Sequence, residues 1–257
     1  MSSRLKSVLD SIRQKRALRR WSKVAKSMDA ADMSTLRKQR SRARSLRRQL
    51  SQVIHKADAR LTLPLIGNRA FQKPMGSDWA YRPELWREQM DTPGEAAVPN
   101  NAVFGTETKV FHDCAVSEIV LRQVRNTREE DLAPFGARME VFQFDGSFIS
   151  IVIEMPDEAA QGLTKRHVVR MDSIIEMEKP LEVFARLNIR HGPNTEQIVR
   201  ELSLEDTNTM VEFDLAYTDL NEKRVERMWL DLIFEQPELN QVILRDVALS
   251  RRPRAEL

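Results

Sequence analysis

His112, Asp113 and Cys114 stand side by side, and these are residue types from which a thiol nucleophile and its base are built. Neighbouring side chains alternate in an extended strand, so His112 and Cys114 share a face while Asp113 points the other way. Nucleophilic catalysis needs a base within hydrogen-bond reach of the thiol and a third group that orients the base. A lone Cys among apolar neighbours is more commonly core packing. His55, His167 and His191 show no metal-ligand spacing, and neither a Gly-rich phosphate loop nor a Ser elbow occurs. Carboxylates are scattered over several segments, which leaves open a glycosidase-type Glu/Asp pair and a calcium loop around Asp206 and Asn208. No catalytic residue, metal site or cofactor is assigned on these grounds, and the chain reads as a non-enzyme.

A binding chemistry is more legible. In the segment 181–191, Leu181, Val183, Ala185, Leu187 and Ile189 fall on one face, and Glu182, Phe184, Arg186, Asn188 and Arg190 on the other. From residue 211, Val211, Phe213, Leu215 and Tyr217 form a core set opposed by Glu212 and Asp214. Further on, Met228, Leu230, Leu232 and Phe234 point inward, leaving Arg227, Trp229, Asp231, Ile233 and Glu235 outside. One sheet is therefore expected to carry Arg186, Asn188, Arg190, Asp214, Trp229 and Asp231 on a mixed outer face. A Trp beside planar hydrogen-bonding groups can stack on a sugar ring while Asp, Asn and Arg address its hydroxyls. The competing expectation is that upstream aromatic residues cover Trp229 and Phe184, with the charges pairing across strands.

These residues need a sheet to position them, and the period of the sequence after residue 106 is that of strands. Ten candidates are readable: 109–114, 118–123, 138–144, 147–155, 165–177, 181–191, 196–202, 210–218, 225–235 and 241–251. Long strands, short turns and a central C-terminal strand predict a mainly β fold, an antiparallel jelly-roll-like β-sandwich over 107–257. Asp145-Gly146 is the tightest hairpin signal, since a two-residue turn needs positive φ. Upstream, 61–106 is broken by Pro64, Gly67, Pro74, Gly76, Pro83, Pro93, Gly94, Pro99 and Gly105. It also holds Phe71, Trp79, Tyr81, Leu85 and Trp86, rings expected to fill a groove on the domain rather than face water.

The first 60 residues are of another kind. They hold 18 Lys or Arg against four Asp, a formal +14, and no Gly or Pro; the other 197 residues hold 23 against 34, a formal −11. Good helix formers fill this arm, with a break near 29–34 where Asp32 or Ser34 can cap the second helix. Leu36, Ala43, Leu50 and Ala57 recur every seven residues, with Leu46 and Val53 between them and Gln39 and Arg60 as polar seam positions, a short coiled-coil pattern. Arg37, Lys38, Arg40, Arg42, Arg44, Arg47 and Arg48 crowd around the seam. They suit nucleic-acid phosphates, anionic lipid or an acidic protein, and the seam suits homo-oligomerisation; a wet charged face is the bland alternative. The segment superficially resembles a bZIP basic region, but it lacks the Asn and Ala positions that reach bases, which disfavours sequence-specific DNA reading.

No apolar run is long enough for a membrane span. Polar residues follow Arg19-Arg20, where an export signal would need an apolar stretch. The single Cys114 excludes an internal disulfide and fits a reducing compartment. The expected location is cytoplasmic, with a position peripheral to membrane or nucleoid as the alternative.

Several runs carry a resemblance: 142–148 (FQFDGSF), 186–197 (RLNIRHGPNTEQ), 213–217 (FDLAY) with 221–224 (NEKR), 229–235 (WLDLIFE) and 251–257 (RRPRAEL). Together they resemble an uncharacterised family of alphaproteobacteria related to Rhodobacter, known as a domain of unknown function. The resemblance implies a bacterial host and assigns no activity. The strand layout is also similar to carbohydrate-binding jelly rolls, an analogy of architecture. The expected function is a non-catalytic module for a glycan or protein ligand, carried on an arm that recruits it to a polyanion or oligomerises it. A glycan-acting or esterase-like enzyme and a sequence-independent nucleic-acid binder are the alternatives.

Overall fold

The computed structural model describes residues 2–28, 31–61, 73–128 and 130–254. The chain divides into two compact units, Met1–Ala57 and Asp58–Leu257.

The first unit consists of α1 (Ser2–Ser27) and α2 (Met33–Leu61). Of the two candidate caps, Asp32 starts α2: its Oδ1 accepts from the Thr35 N–H at 2.6 Å, satisfying an amide that the helix itself leaves free. Among the described residues no helix is long and apolar enough to cross a membrane.

The second unit is an antiparallel jelly-roll-like β-sandwich. Its strands are β1 (Trp79–Tyr81), β2 (Gly94–Ala96), β3 (Ala102–Phe104), β4 (Thr108–His112), β5 (Ile119–Arg125), β6 (Phe135–Val141) and β7 (Phe148–Glu154). They continue with β8 (His167–Met177), β9 (Val183–His191), β10 (Asn194–Glu201), β11 (Asn208–Asp214), β12 (Val225–Glu235) and β13 (Asn240–Pro253). Sheet A runs β11-β8-β13-β6-β5-β2, with β1 also pairing β13, and sheet B runs β10-β9-β12-β7-β4-β3. From β6 onward the chain crosses repeatedly between the sheets, as the strands of a jelly roll do. Inward residues interdigitate between the layers. Val183, Ala185, Leu187 and Ile189 of β9 and Leu230, Leu232 and Phe234 of β12 are fully buried against Met171, Phe213 and Leu249 from sheet A.

The stretch 73–106 supplies structure that strand periodicity does not reveal. β1 extends sheet A beside the second half of β13, while β2 and β3 add to the sheet edges. A single turn of helix, α3 (Glu84–Arg87), buries Leu85 and Trp86. The Trp86 indole N–H donates to the Leu244 carbonyl at 2.9 Å, so a large ring enters the core with its polar atom satisfied. Phe71 lies outside the described residues.

Two sequence expectations need correction. Asp145-Gly146 does not close a hairpin, because β6 belongs to sheet A and β7 to sheet B. Gly146 has no positive φ; it is required because a Cβ there would lie 2.3 Å from Asp113 Oδ1 and 2.8 Å from the Cys114 amide nitrogen. The strand expected over 210–218 stops at Asp214, whose Oδ1 accepts from the Ala216 N–H and turns the chain into a 3-10 segment. Leu215 remains buried, but Tyr217 is 84% exposed rather than in the core.

Ion pairs involve the interior strands of sheet A: Arg251 of β13 pairs with Asp78, and Arg245 of β13 with Glu176 of β8, which Arg128 also contacts. Burial pushes the Asp78 carboxyl up, but hydrogen bonds and charge from Arg251, with His167 adding to the charge, more than offset this and hold it below its ordinary 3.8. Glu176 behaves in the same way between Arg245 and Arg128, held below 4.5. Both groups bind protons more weakly folded than unfolded, so their contribution is present above the unfolded pKa values and is lost as pH falls through the folded ones. Stability is therefore expected to drop on acidification below about pH 4.5. The double variant Asp78→Asn/Glu176→Gln should show a flatter acid limb in urea titrations; an unchanged limb would remove these two groups from the explanation.

Candidate functional site

Strand pairing in sheet B decides which outward side chains meet. Trp229 lies opposite Glu154 of β7 and Asn188 of β9; Asp231 lies opposite Val152 and Arg186; Lys109 of β4 lies opposite Val152, and Phe111 opposite Ser150. These rows form a cleft of about 470 Å3 on the outer face of sheet B. Phe111, Phe148, Val152 and Trp229 give it apolar surface, and Lys109, Ser150, Glu154, Arg186, Arg227 and Asp231 give it polar groups.

Asp231 is the electrostatic centre. It is 2% exposed, and its Oδ2 accepts from Arg186 Nε at 2.8 Å and from Asn188 Nδ2 at 3.2 Å. Gln197 on β10 donates to Asn188 Oδ1 at 3.0 Å, fixing the amide so that its NH2 faces the carboxylate. Lys109 Nζ lies 3.3 Å from Glu154 Oε1 at the opposite wall. The Arg227 guanidinium sits over the Trp229 ring, 4.9 Å from its centroid. Asp231 Oδ1 and Ser150 Oγ are buried without a hydrogen-bond partner among the described residues. A buried acceptor and a buried hydroxyl left unpaired are costly, and both belong to residues lining this cleft.

Of the sequence candidates, Arg186, Asn188, Trp229 and Asp231 come together. Arg190 lies at the margin of the face, paired with Glu226 at 3.2 Å, and does not line the cleft. Asp214 is a correction: β11 belongs to sheet A, and its carboxylate caps the turn at Ala216 and lies 3.5 Å from Arg254. Lys109, Phe111, Phe148, Ser150, Val152 and Glu154 complete the cleft and are not among the sequence candidates. Alternation alone puts the last four on one face of β7, but only the β7–β12 register shows that this is the face of Trp229. The described aromatic residues upstream do not cover Trp229, because Trp79 and Tyr81 stack on each other in β1 beside β13, in the other sheet.

Cys114 Sγ lies 2.9 Å from His112 Nδ1, and His112 Nε2 lies 2.9 Å from the Val98 carbonyl. A carbonyl only accepts, so Nε2 carries the ring proton, Nδ1 accepts and the thiol donates. Burial and the nearby Asp145 carboxylate push the thiol pKa up. The Asp113 carboxylate is turned away to the Ser147 and Phe148 amides. The trio thus holds a protonated thiol and orients no base with a carboxylate. Among the described residues no group of three or more His, Cys, Asp or Glu is placed to hold a metal ion.

On α2, Arg37, Lys38, Arg40, Arg42, Arg44 and Arg47 are exposed. Arg48 lies on the same helix, and its side chain is outside the described set.

The described residues of the second unit thus form a two-sheet jelly-roll-like sandwich with an open cleft of aromatic and polar side chains on one outer face. The chain belongs to the family of unknown function DUF6478, whose model matches residues 1–257. No curated protein matches it. Among solved structures it is similar to a family 11 carbohydrate-binding module of Clostridium thermocellum in complex with a β-1,3-1,4-mixed-linked tetrasaccharide, with TM-score 0.39 and 12% identity over 65% of this chain and 100% of that one. A family 30 carbohydrate-binding module gives TM-score 0.40 and 8% identity over 71% of this chain and 92% of that one. The enzymatically active domain of tailspike protein 4 from bacteriophage CBA120 gives 0.40 and 6% over 56% of this chain, which spans 19% of that chain.

Proposed function

We propose that the chain is a non-catalytic binding protein that takes a glycan in the cleft of sheet B. The observation that carries this is the cleft itself: the Trp229 ring beside the Arg186–Asp231–Asn188 cluster, with Asp231 Oδ1 and Ser150 Oγ unpaired. Sugar rings offer both halves of what such a site lacks, apolar C–H faces for stacking and hydroxyls that donate and accept. Asp231 and Glu154 are two carboxylates in one cleft, and each is engaged by a cation, Arg186 and Lys109 respectively. That arrangement suits hydroxyl recognition.

The test is a glycan array with the full chain, alongside a generic glycosidase and esterase panel. Binding without turnover is expected, and robust turnover would overturn the non-catalytic assignment. Trp229→Ala should weaken glycan binding by about tenfold or more, a loss of at least about 1.4 kcal/mol, with little change in thermal midpoint because the ring points out of the core. A large stability loss with binding retained would remove Trp229 as a platform.

A further inference from the structure

Helix α1 and helix α2 form a second concave surface within the first unit. A groove of about 590 Å3 lies between them, walled by Trp21 and Val24 from α1, by Met28 just after it and by Met33, Leu36 and Ala43 from α2, with Arg37 and Arg40 also lining it. Trp21 and Leu36 are only half-buried, and Met33 is 67% exposed. The apolar line continues along α2 through Leu46, Leu50 and Val53, which are 39%, 52% and 65% exposed. From residue 33 to 57, α2 contains no Asp or Glu. Arg40, Arg42 and Arg47 flank the line and Arg37 lines the groove, while Lys38 and Arg44 lie further round the helix; none of these six forms an ion pair among the described residues.

We infer that this groove and the seam beyond it dock an acidic amphipathic helix of another protein. An apolar trough between two helices, running into a stripe of seven-residue period, is shaped to take the apolar face of a third helix. The basic rim selects what flanks that face: Glu or Asp, and not Lys or Arg. Three other occupants fit less well. Nucleic-acid phosphates would neutralise the arginines but leave Met33, Leu46, Leu50 and Val53 in water. A bilayer is met by a broad convex apolar face, whereas here the apolar line is narrow and begins in a concavity. A second copy aligned in parallel would set Arg42 of one helix, at a position flanking the seam, against Arg47 of the other, and an antiparallel copy would again oppose arginines.

The test uses the full chain and a labelled helical peptide of about 21 residues, Leu at the seam positions and Glu at the flanking ones. Controls are its scrambled isomer, its Lys-flanked analogue, vesicles with an anionic phosphatidylglycerol fraction, and a random duplex DNA. The Glu-flanked peptide should bind at least about tenfold tighter than the scrambled and Lys-flanked forms, and more weakly as salt screens the rim. Arg37→Glu/Arg40→Glu should reverse the preference toward the Lys-flanked peptide at unchanged helical circular dichroism. Ala43→Arg is a second and independent probe, since it adds a cation while filling the groove. A docked helix must then bind more weakly, and a merely electrostatic partner more tightly. Equal binding of the scrambled isomer, tighter binding with Ala43→Arg, displacement of the peptide by vesicles or DNA, or a self-associated arm that refuses the peptide would each overturn the inference.

Discussion

Trp86→Ala is expected to cost about 3 to 5 kcal/mol of folding free energy, the range for removing a large aromatic ring from a packed interior. Trp86 is 0% exposed, its neighbour Leu85 is 1% exposed, and its indole N–H is spent on the Leu244 carbonyl of β13. Deleting the ring opens a cavity and leaves that carbonyl without its donor. The effect should appear as a lower urea midpoint at nearly constant slope. Trp86→Phe refills most of the volume and should recover the greater part of the loss. A cost below about 1 kcal/mol, the scale of an ordinary surface change, would mean that the stretch 73–106 does not belong to the folded core.

An effect of similar size is expected from Arg82→Met. Arg82 Nε and Nη2 meet Asp246 Oδ1 and Oδ2 at 2.9 and 2.8 Å, a bidentate pair between side chains that are 3% and 9% exposed. Removing one member of a buried pair leaves an uncompensated charge and costs about 3 to 5 kcal/mol, while replacing both with apolar groups is far milder. Arg82→Met/Asp246→Leu should therefore be more stable than Arg82→Met alone, measured as a double-mutant cycle. Burial already holds the Asp246 carboxyl above its ordinary 3.8 in spite of the Arg82 hydrogen bonds and charge. Without Arg82 the carboxyl rises further, and the folded state takes up a proton that the unfolded chain does not hold. The deficit of Arg82→Met should thus narrow as pH falls from neutral through the raised folded pKa toward 3.8. A double variant no better than the single one, or a deficit that widens in acid, would contradict this account.

How far the sequence foretells the molecule depends on the range of each signal. All ten candidate strands have counterparts, because alternation such as that of Val183, Ala185, Leu187 and Ile189 is written within one strand. β1, β2 and β3 are three residues each, too short for a period to show, and they lie among Pro and Gly. Alternation alone puts Tyr217 in the core because it runs on past Asp214, where the Asp214 side chain turns the backbone. The cleft was half legible. β9 and β12 declare Arg186, Asn188, Trp229 and Asp231 through their own patterns, but that β7 lies beside β12, and in a register opposing Glu154 to Trp229, is a pairing between segments some 70 residues apart. Asp214 shows the converse error: its strand alternates correctly and belongs to the other sheet.

The placement of β13 has a consequence for biogenesis. This is the longest strand, and it lies between β8 on one side and β6 and β1 on the other. Among the described strands it follows the others in chain order, so during synthesis sheet A has a gap at its middle until residues 240–253 have emerged from the ribosome. Until then β6 and β8 each present an unpaired edge, and the inner face of sheet B has no complete layer to pack on, the condition in which nascent β-sheet chains aggregate. α1 and α2 need only local contacts and can form while the sandwich is still unfinished. Chains halted before residue 240 should accordingly emerge with a finished basic arm attached to an unfolded acidic remainder, and such chains are natural clients for chaperones and proteases.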